Sequence, residues 1–292
     1  MSIGSRAGNI SSGSRAGKWA AFIKIEHTLF SLPVMFAGAV LAAAAIPAAA
    51  LLGWVLLAGV GARTLAMALN RLIDRNVDAA NPRTADRELP AGRMGVGEGW
   101  GIAAAGLFIY VAACWNLPPI CRLLAPIPVA VFVIYPYLKR ITPFAHLGVG
   151  VALALAPVGG WVAVRGDLAH MAAPILLGLF TLFWAAGFDV IYATLDEESD
   201  RRNGIRSLPS WLGNAAALRV SAAVHVVAMV ALAILYGLFL SGALAGVALV
   251  AVALLLLAEQ RLAARVNFAF FQINIVVGFA VFVLVLLGVN GL

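Results

Sequence analysis

Charge is scarce in this 292-residue chain: Asp, Glu, Lys and Arg together make up 11%, against 63% hydrophobic residues. A soluble domain keeps about a quarter of its residues charged, so a water-soluble globule is excluded. Cysteine is scarcer still, at two. Cys114 and Cys121 flank the short turn Asn116 to Ile120; two thiols in a chain of this size make no disulfide framework and read as small apolar side chains in helix ends. Acidic residues are absent from residues 1–18, where Gly-Ser-Arg-Ala-Gly occurs twice, at Gly4 to Gly8 and Gly13 to Gly17. That stretch has no apolar face for a transit peptide, so residues 1–21 are expected to form a disordered basic tail near anionic headgroups, followed by a single transmembrane domain over 22–292.

What is abundant is long apolar sequence. Nine stretches, at 22–45, 49–73, 97–115, 120–137, 144–163, 171–193, 214–238, 241–258 and 266–288, predict nine transmembrane helices of about 20 residues each, an all-α polytopic membrane protein around a central cavity. The net charge of +7 could suit nucleic acid, but the charges sit between the apolar runs, and no nucleic-acid partner is expected. On this segmentation only Arg122 and Arg165 of the 20 basic residues fall on the far side. Positive loops stay cytoplasmic, so the amino terminus is expected inside and the polar chemistry at the cytoplasmic surface of a bacterial inner membrane.

The second run ends in Asn70-Arg71-Leu72-Ile73-Asp74-Arg75-Asn76-Val77-Asp78. Asn70, Asp74 and Asp78 recur every four residues, which stacks them on one helix face. Like charges at that spacing repel, so the arrangement calls for a cation. The sixth run ends with Asp189, Tyr192, Asp196 and Asp200. Asp74 to Asp196 and Asp78 to Asp200 are both 122 residues apart, and arginines and a Leu-Pro follow each motif. This has the pattern of an internal duplication with one acidic cluster per half. Converging carboxylates make a site for hard divalent cations, and Mg²⁺ commonly takes its remaining ligands from a substrate phosphate. Arginines among them supply the donor geometry that phosphate oxygens need. The expected ligand is a metal-bound diphosphate, with Asp74, Asp78, Asp196 and Asp200 as both metal ligands and catalytic residues.

With these motifs in hand, the sequence resembles the UbiA family of intramembrane polyprenyl transferases, which has N-x3-D-x3-D on the second helix and Y-x3-D-x3-D on the sixth. The likeness covers essentially the whole chain, including Arg63 to Asn70 and Tyr135-Pro136-Tyr137-Leu138-Lys139-Arg140. It implies Mg²⁺-dependent transfer of an isoprenoid from a polyprenyl diphosphate to an acceptor. Many relatives carry Asp where this chain has Arg71, so no metal contact is assigned there.

Breaking an allylic C–O bond leaves extra negative charge on diphosphate and a carbocation on the isoprenoid. Lys139, with Arg140 and Arg71, is expected to donate to diphosphate oxygens. Tyr135, Phe188 and Tyr192 offer aromatic faces to the cation, and Asn70 and Asp189 are counted with the substrate-binding residues. Arg63 lies two turns from Asn70 in an otherwise apolar helix, a costly place without a partner or cavity. The resemblance puts it where the acceptor is held, so it is assigned to the carboxylate of an aromatic acid. Glu26 and His27, with Asn267, Gln272 and Asn274, could complete an acceptor pocket, and helix–helix hydrogen bonds explain the three amides equally well. Loops 79–95, 138–143 and 197–213 are expected to cap the site against water.

Within the family, Glu26 to Pro33 and Asn81 to Pro90 resemble the branch labelled 4-hydroxybenzoate polyprenyltransferase, which implies quinone biosynthesis. Prenylation of 1,4-dihydroxy-6-naphthoate on the futalosine route to menaquinone is the alternative acceptor. A secondary transporter also carries repeats and intramembrane charge, but its site sits on broken helices near the midplane. A CDP-alcohol phosphatidyltransferase would need a D-G-x2-A-R signature that is absent, and a soluble prenyl-chain synthase would lack the nine spans.

Overall fold

The structure is a computed structural model that describes residues 15–24, 28–266 and 268–292. The described residues contain helices and turns only. In chain order the helices are α1 Arg15–Ile23, α2 Thr28–Ala43, α3 Ala49–Ala80, α4 Val96–Trp115, α5 Pro119–Leu124, α6 Pro126–Leu138, α7 Ala145–Arg165, α8 Ala172–Ala193, α9 Glu197–Arg202, α10 Leu208–Leu212, α11 Asn214–Phe239, α12 Ala243–Arg261 and α13 Asn274–Val289. A 3₁₀ turn, Thr194–Asp196, joins α8 to α9, and a π-helical turn, Phe268–Ile273, leads into α13.

Eight helical segments among the described residues are long and apolar enough to cross a membrane, with α5–α6 and α8–α9 each running as one span. The first expected span, 22–45, is divided between α1 and α2. At 16 residues and about 1.5 Å per residue, α2 is about 24 Å long, short of the ~30 Å hydrocarbon core. It is a ninth apolar helix, but the count of nine spans and the direction of the amino terminus stay with the sequence argument. The expected tail is also shorter than its assigned range, because residues 15–21 belong to α1. That helix anchors itself by burying Phe22 at 1% exposure against Leu69 and Leu72 of α3. Residues 1–14 lie outside the described residues.

The chain packs as a bundle in which α8 is the most enclosed element, contacted by α7 on one side and α11 on the other. Trp184, Phe180 and Leu177 of α8 are fully buried at its centre. Large apolar side chains such as Phe108, Leu123, Leu238 and Val247 stand outward instead. Such a continuous apolar exterior is what a protein solvated by lipid requires. The pair α3 and α4 approaches closely where Gly61 faces the backbone of Tyr110 and Gly106 faces the backbone of Leu65. A Cβ at either glycine would enter the neighbouring main chain, so small residues set this spacing.

α3 runs to Ala80, seven residues past the apolar run, and so carries Asp74 and Asp78 on continuous helix. The second acidic motif is built differently. α8 ends at Ala193, where the Thr194 hydroxyl donates to the Ile191 carbonyl at 2.6 Å. That local bond competes with the helical ladder, and Asp196 and Asp200 follow on the 3₁₀ turn and α9.

Replacing Gly106 with Val should destabilise the bundle by about 1–3 kcal/mol through overpacking, read as a lower thermal unfolding midpoint in detergent. Gly97→Ala, at a position where a Cβ meets nothing within 4 Å, should leave the midpoint unchanged or raise it.

Candidate functional site: an acidic chamber above an apolar cavity

Two cavities meet inside the bundle. The polar one, about 200 Å³, is lined by all four motif aspartates together with Asn70, Lys139, Tyr192 and residues of all three loops. The two acidic motifs therefore converge at one end of the bundle. The apolar one, about 370 Å³, extends between α2, α3, α6 and α7 and is lined by Arg63, Phe132 and Phe188 among others. Tyr135, Val149 and Asp189 line both cavities and mark their junction.

The aspartates occupy an electrostatically poor place. Asp74 and Asp78 stand in the last turns of α3, near the negative end of the helix dipole, and are nearly fully buried. An unpaired buried carboxylate costs several kcal/mol, and the sequence supplies cations to each. Lys139, the residue capping the C-terminus of α6, places Nζ 2.6 Å from Asp74 Oδ2. Arg140 donates to Asp74 Oδ1 at 3.3 Å and to the Ile73 carbonyl at 2.9 Å. Asn70 Nδ2, one turn earlier on the same face, donates to Asp74 Oδ2 at 3.2 Å. Asp78 Oδ1 receives Arg87 Nη1 at 2.6 Å.

Across the chamber, Arg83 grips Asp196 with two parallel bonds, Nε to Oδ1 at 2.7 Å and Nη2 to Oδ2 at 2.5 Å. Its Nη1 donates to the Tyr192 hydroxyl at 2.7 Å, and Asn81 Nδ2 adds a bond to Asp196 Oδ1 at 2.7 Å. Burial works against the charge on Arg83, but these bonds and the nearby negative charge outweigh it and hold its pKa above the ordinary guanidinium value. Asp200 Oδ2 accepts from the Ser207 hydroxyl at 2.8 Å. Asp189 Oδ2 lies 2.7 Å from His146 Nδ1.

The three loops interlace over the chamber. Arg206 donates its backbone N–H to the Lys139 carbonyl at 2.7 Å and its Nη1 to the Ile141 carbonyl at 2.5 Å, while Asn203 Nδ2 reaches the Ala80 carbonyl at 3.4 Å. These contacts join loop 138–143 to loop 197–213, and loop 197–213 to the end of α3.

Among the described residues, no three His, Cys, Asp or Glu side chains stand together as a ready-made metal site; basic side chains separate the carboxylates. The donor set nonetheless suits a hard divalent cation, being all carboxylate oxygen. One of those oxygens, Asp78 Oδ2, is buried without a hydrogen-bond partner and faces Arg71 Nη1 at 3.8 Å.

Not every expected residue reaches the chamber. Arg71 is buried and donates from Nε to the Phe22 carbonyl at 3.4 Å, so it ties α1 to α3 and does not line either cavity. Arg140 reaches Asp74 from outside the cavity lining. Asn274 is fully buried between Glu259 and Trp184 in a helix–helix network, and Gln272 is exposed. Glu26, His27 and Asn267 lie outside the described residues. Conversely, Asn81, His146 and Ser207 carry no spacing signal and were not expected at the site. Asn81 alone had a cue, as the first residue after α3, the helix that carries the first acidic motif.

A polytopic helical bundle with a carboxylate-and-arginine chamber over an apolar cavity defines an intramembrane protein with a charged site set against an apolar one. Comparison with known proteins agrees. The family model for the UbiA prenyltransferase family matches residues 31–270. Over 185 residues the chain is 35% identical to a protein of Synechocystis sp. named 4-hydroxybenzoate solanesyltransferase, covering 63% of this chain and 62% of that one; the match thus spans less than two thirds of that relative. The solved apo structure of a UbiA homolog from Aeropyrum pernix K1 is 34% identical with a TM-score of 0.81, covering 88% of this chain and 96% of that one. The structure of a UbiA homolog from Archaeoglobus fulgidus bound to DMAPP and Mg²⁺ shares the fold, at a TM-score of 0.65 and 17% identity over 91% and 99% of the two chains. The chain belongs to the UbiA prenyltransferase family.

Arg83 is the bridge between the loop after α3 and the second motif. Arg83→Ala should loosen that loop, which Asn81 still ties to Asp196, and trypsin cleavage at Arg87 and Arg93 should rise by roughly tenfold or more, the effect of losing at least one charge-assisted hydrogen bond. Arg122→Ala, on the far turn, should leave cleavage at Arg87 and Arg93 unchanged.

Proposed function

We propose that this protein transfers a polyprenyl group from its diphosphate to an aromatic acid in quinone biosynthesis, with 4-hydroxybenzoate as the leading acceptor. The observation that carries the reading is the junction of the two cavities: a diphosphate-sized polar chamber ringed by aspartates and basic side chains opens onto an apolar space that holds Arg63. The name of the Synechocystis relative supports the acceptor. The naphthoate of the futalosine route has the same combination of carboxylate and phenolic hydroxyl and is the competing substrate.

In this reading the donor lies with its head in the chamber and its tail among apolar side chains. Each methylene moved out of water contributes about 0.8 kcal/mol, which favours a site inside the bilayer for a long tail. Asp74, Asp78, Asp196 and Asp200 would hold Mg²⁺, which when bound supplies Lewis-acid stabilisation of the leaving diphosphate. Lys139, Arg83 and Arg87 are paired with carboxylates and line the chamber; with the donor bound they are in place to donate to diphosphate oxygens as negative charge grows on the leaving group. The C–O bond breaks with its electron pair going to diphosphate. A ring π pair of the acceptor forms the new C–C bond, and the ring carbon then releases its proton to restore aromaticity.

Tyr135, at the junction, and Phe188, on the apolar wall, present ring faces that stabilise the allylic cation without capturing it, at about 0.5–2 kcal/mol each. Arg63 holds the acceptor carboxylate. The interlaced loops exclude water, which would otherwise convert the cation to an alcohol. The proposed setting is a bacterial inner membrane with the chamber at the cytoplasmic face.

The test is a competition assay in which the purified protein is offered both aromatic acids with a long-chain polyprenyl diphosphate and Mg²⁺. Prenylated 4-hydroxybenzoate should dominate; predominance of the naphthoate product would move the assignment to the menaquinone route, and no aryl product would end the reading. Asp74→Ala and Asp196→Ala should each abolish Mg²⁺-dependent diphosphate release while the protein stays in the membrane fraction, and retained turnover would remove the assigned metal site. Arg63→Ala should raise KM for the acceptor by roughly tenfold or more, the loss of a charge-assisted pair, with KM for the prenyl donor unchanged. Equal loss of both would place Arg63 outside the acceptor site.

A further inference from the structure

The pairing of His146 with Asp189 is used by none of the steps above. His146, in the first turn of α7, is 5% exposed and lines the polar cavity. Its Nδ1 lies 2.7 Å from Asp189 Oδ2, and its Nε2 lies 3.3 Å from the backbone nitrogen of Leu208. A backbone N–H only donates, so Nε2 carries a lone pair and the single ring proton resides on Nδ1. The ring is then a neutral donor to Asp189, and Asp189 is the acceptor.

The residue that sets this tautomer belongs to the loop system over the chamber. Leu208 opens α10, and Ser207 caps it. Ser207 also donates its hydroxyl to Asp200. Two consecutive residues thus touch both ends of the site: Ser207 holds an aspartate of the diphosphate chamber, and Leu208 holds the imidazole on the aspartate at the cavity junction. The 207–208 segment is seated against Asp200 and His146 together, so its seating is a condition shared by both cavities.

We propose that His146 is a positioning residue for aryl transfer: seated by the Leu208 amide, it fixes Asp189 as a hydrogen-bond acceptor for the phenolic hydroxyl of the aromatic substrate, and thereby links the seating of the 207–208 segment to acceptor alignment. This rests on the aromatic-acid reading given above. With the acceptor's carboxylate on Arg63 and its hydroxyl on Asp189, both of which line the apolar cavity, the ring is held by its two polar ends beside the junction. A hydroxyl bonded to a carboxylate makes its ring more electron-rich, which favours attack on the allylic carbon.

The experiment compares His146→Ala, His146→Asn and His146→Gln in steady-state prenylation of 4-hydroxybenzoate and of the naphthoate. An Asn amide can donate to Asp189 from the place of Nδ1; a Gln amide reaches the place of Nε2 and leaves Asp189 without its donor. His146→Ala should lower kcat roughly 10- to 100-fold, the span of one hydrogen bond to a charged group, with KM for the polyprenyl diphosphate within about twofold of wild type. His146→Asn should recover most of the loss and His146→Gln should not. Adding His146→Ala to Asp189→Asn should cost nothing further, because a positioning residue has no effect once the group it positions is gone.

If His146→Ala fails to fold, the order of the Asn and Gln variants decides by itself. Gln equal to or better than Asn would overturn the proposal, as would an unchanged kcat or a parallel loss for donor and acceptor. Wild-type protein that prenylates neither acid would instead defeat the functional reading, and this inference with it. An active wild type with indifferent His146 variants defeats the inference alone.

Discussion

Negative charge held at the wrong end of helices governs the architecture of this site. Asp74 and Asp78 stand in the last turns of α3, at the negative end of its dipole, and they are buried. Water cannot screen them, and the helix dipole opposes them. Cations must therefore be brought from elsewhere in the chain, and the loops take their paths in order to deliver Lys139, Arg140, Arg83 and Arg87. The cap over the chamber is a consequence of this need for countercharge.

The same constraint supports the proposed diphosphate site. Carboxylates and guanidinium groups that neutralise each other in the protein are both poised for exchange: the former toward metal ions, the latter toward phosphate oxygens. Side chains already desolvated and oriented need little reorganisation when charge develops. Beneath the chamber the environment changes within a few residues from polar to apolar, with Tyr135 and Asp189 at the boundary. An amphiphilic substrate placed across that boundary has its labile bond where the cations are and its tail where water is excluded.

The buried amide network on the other side of the bundle follows a related rule with a different outcome. Asn274 donates to Glu259 and accepts from Trp184 deep between α8, α12 and α13. These groups touch neither cavity; their bonds join the three helices, and Glu259 Oε2 stands 4.0 Å from His225 Nδ1 of α11. Polar residues in apolar helices therefore fall into two sets here, those facing a cavity and those joining helices, and helical spacing alone does not separate them.

Most of the architecture was legible in the chain itself. Long apolar runs must form helices in lipid because every backbone group has to be bonded within its own segment, so α4, α7, α8, α11 and α12 lie within a few residues of the expected ranges, and α3 starts where expected but runs on to Ala80. The four-residue spacing of Asn70, Asp74 and Asp78 needed only helix geometry, and its equally spaced echo at Asp196 and Asp200 pointed to one shared site. What only the tertiary structure decided were the pairings between distant segments. Arg71 belongs to the Phe22 carbonyl, Arg83 to Asp196, and His146 to Asp189 and Leu208. Local periodicity tells which face of a helix a residue occupies; which cation lands on which carboxylate depends on how loops 79–95 and 197–213 fold back across the helix ends, and no short-range pattern encodes that.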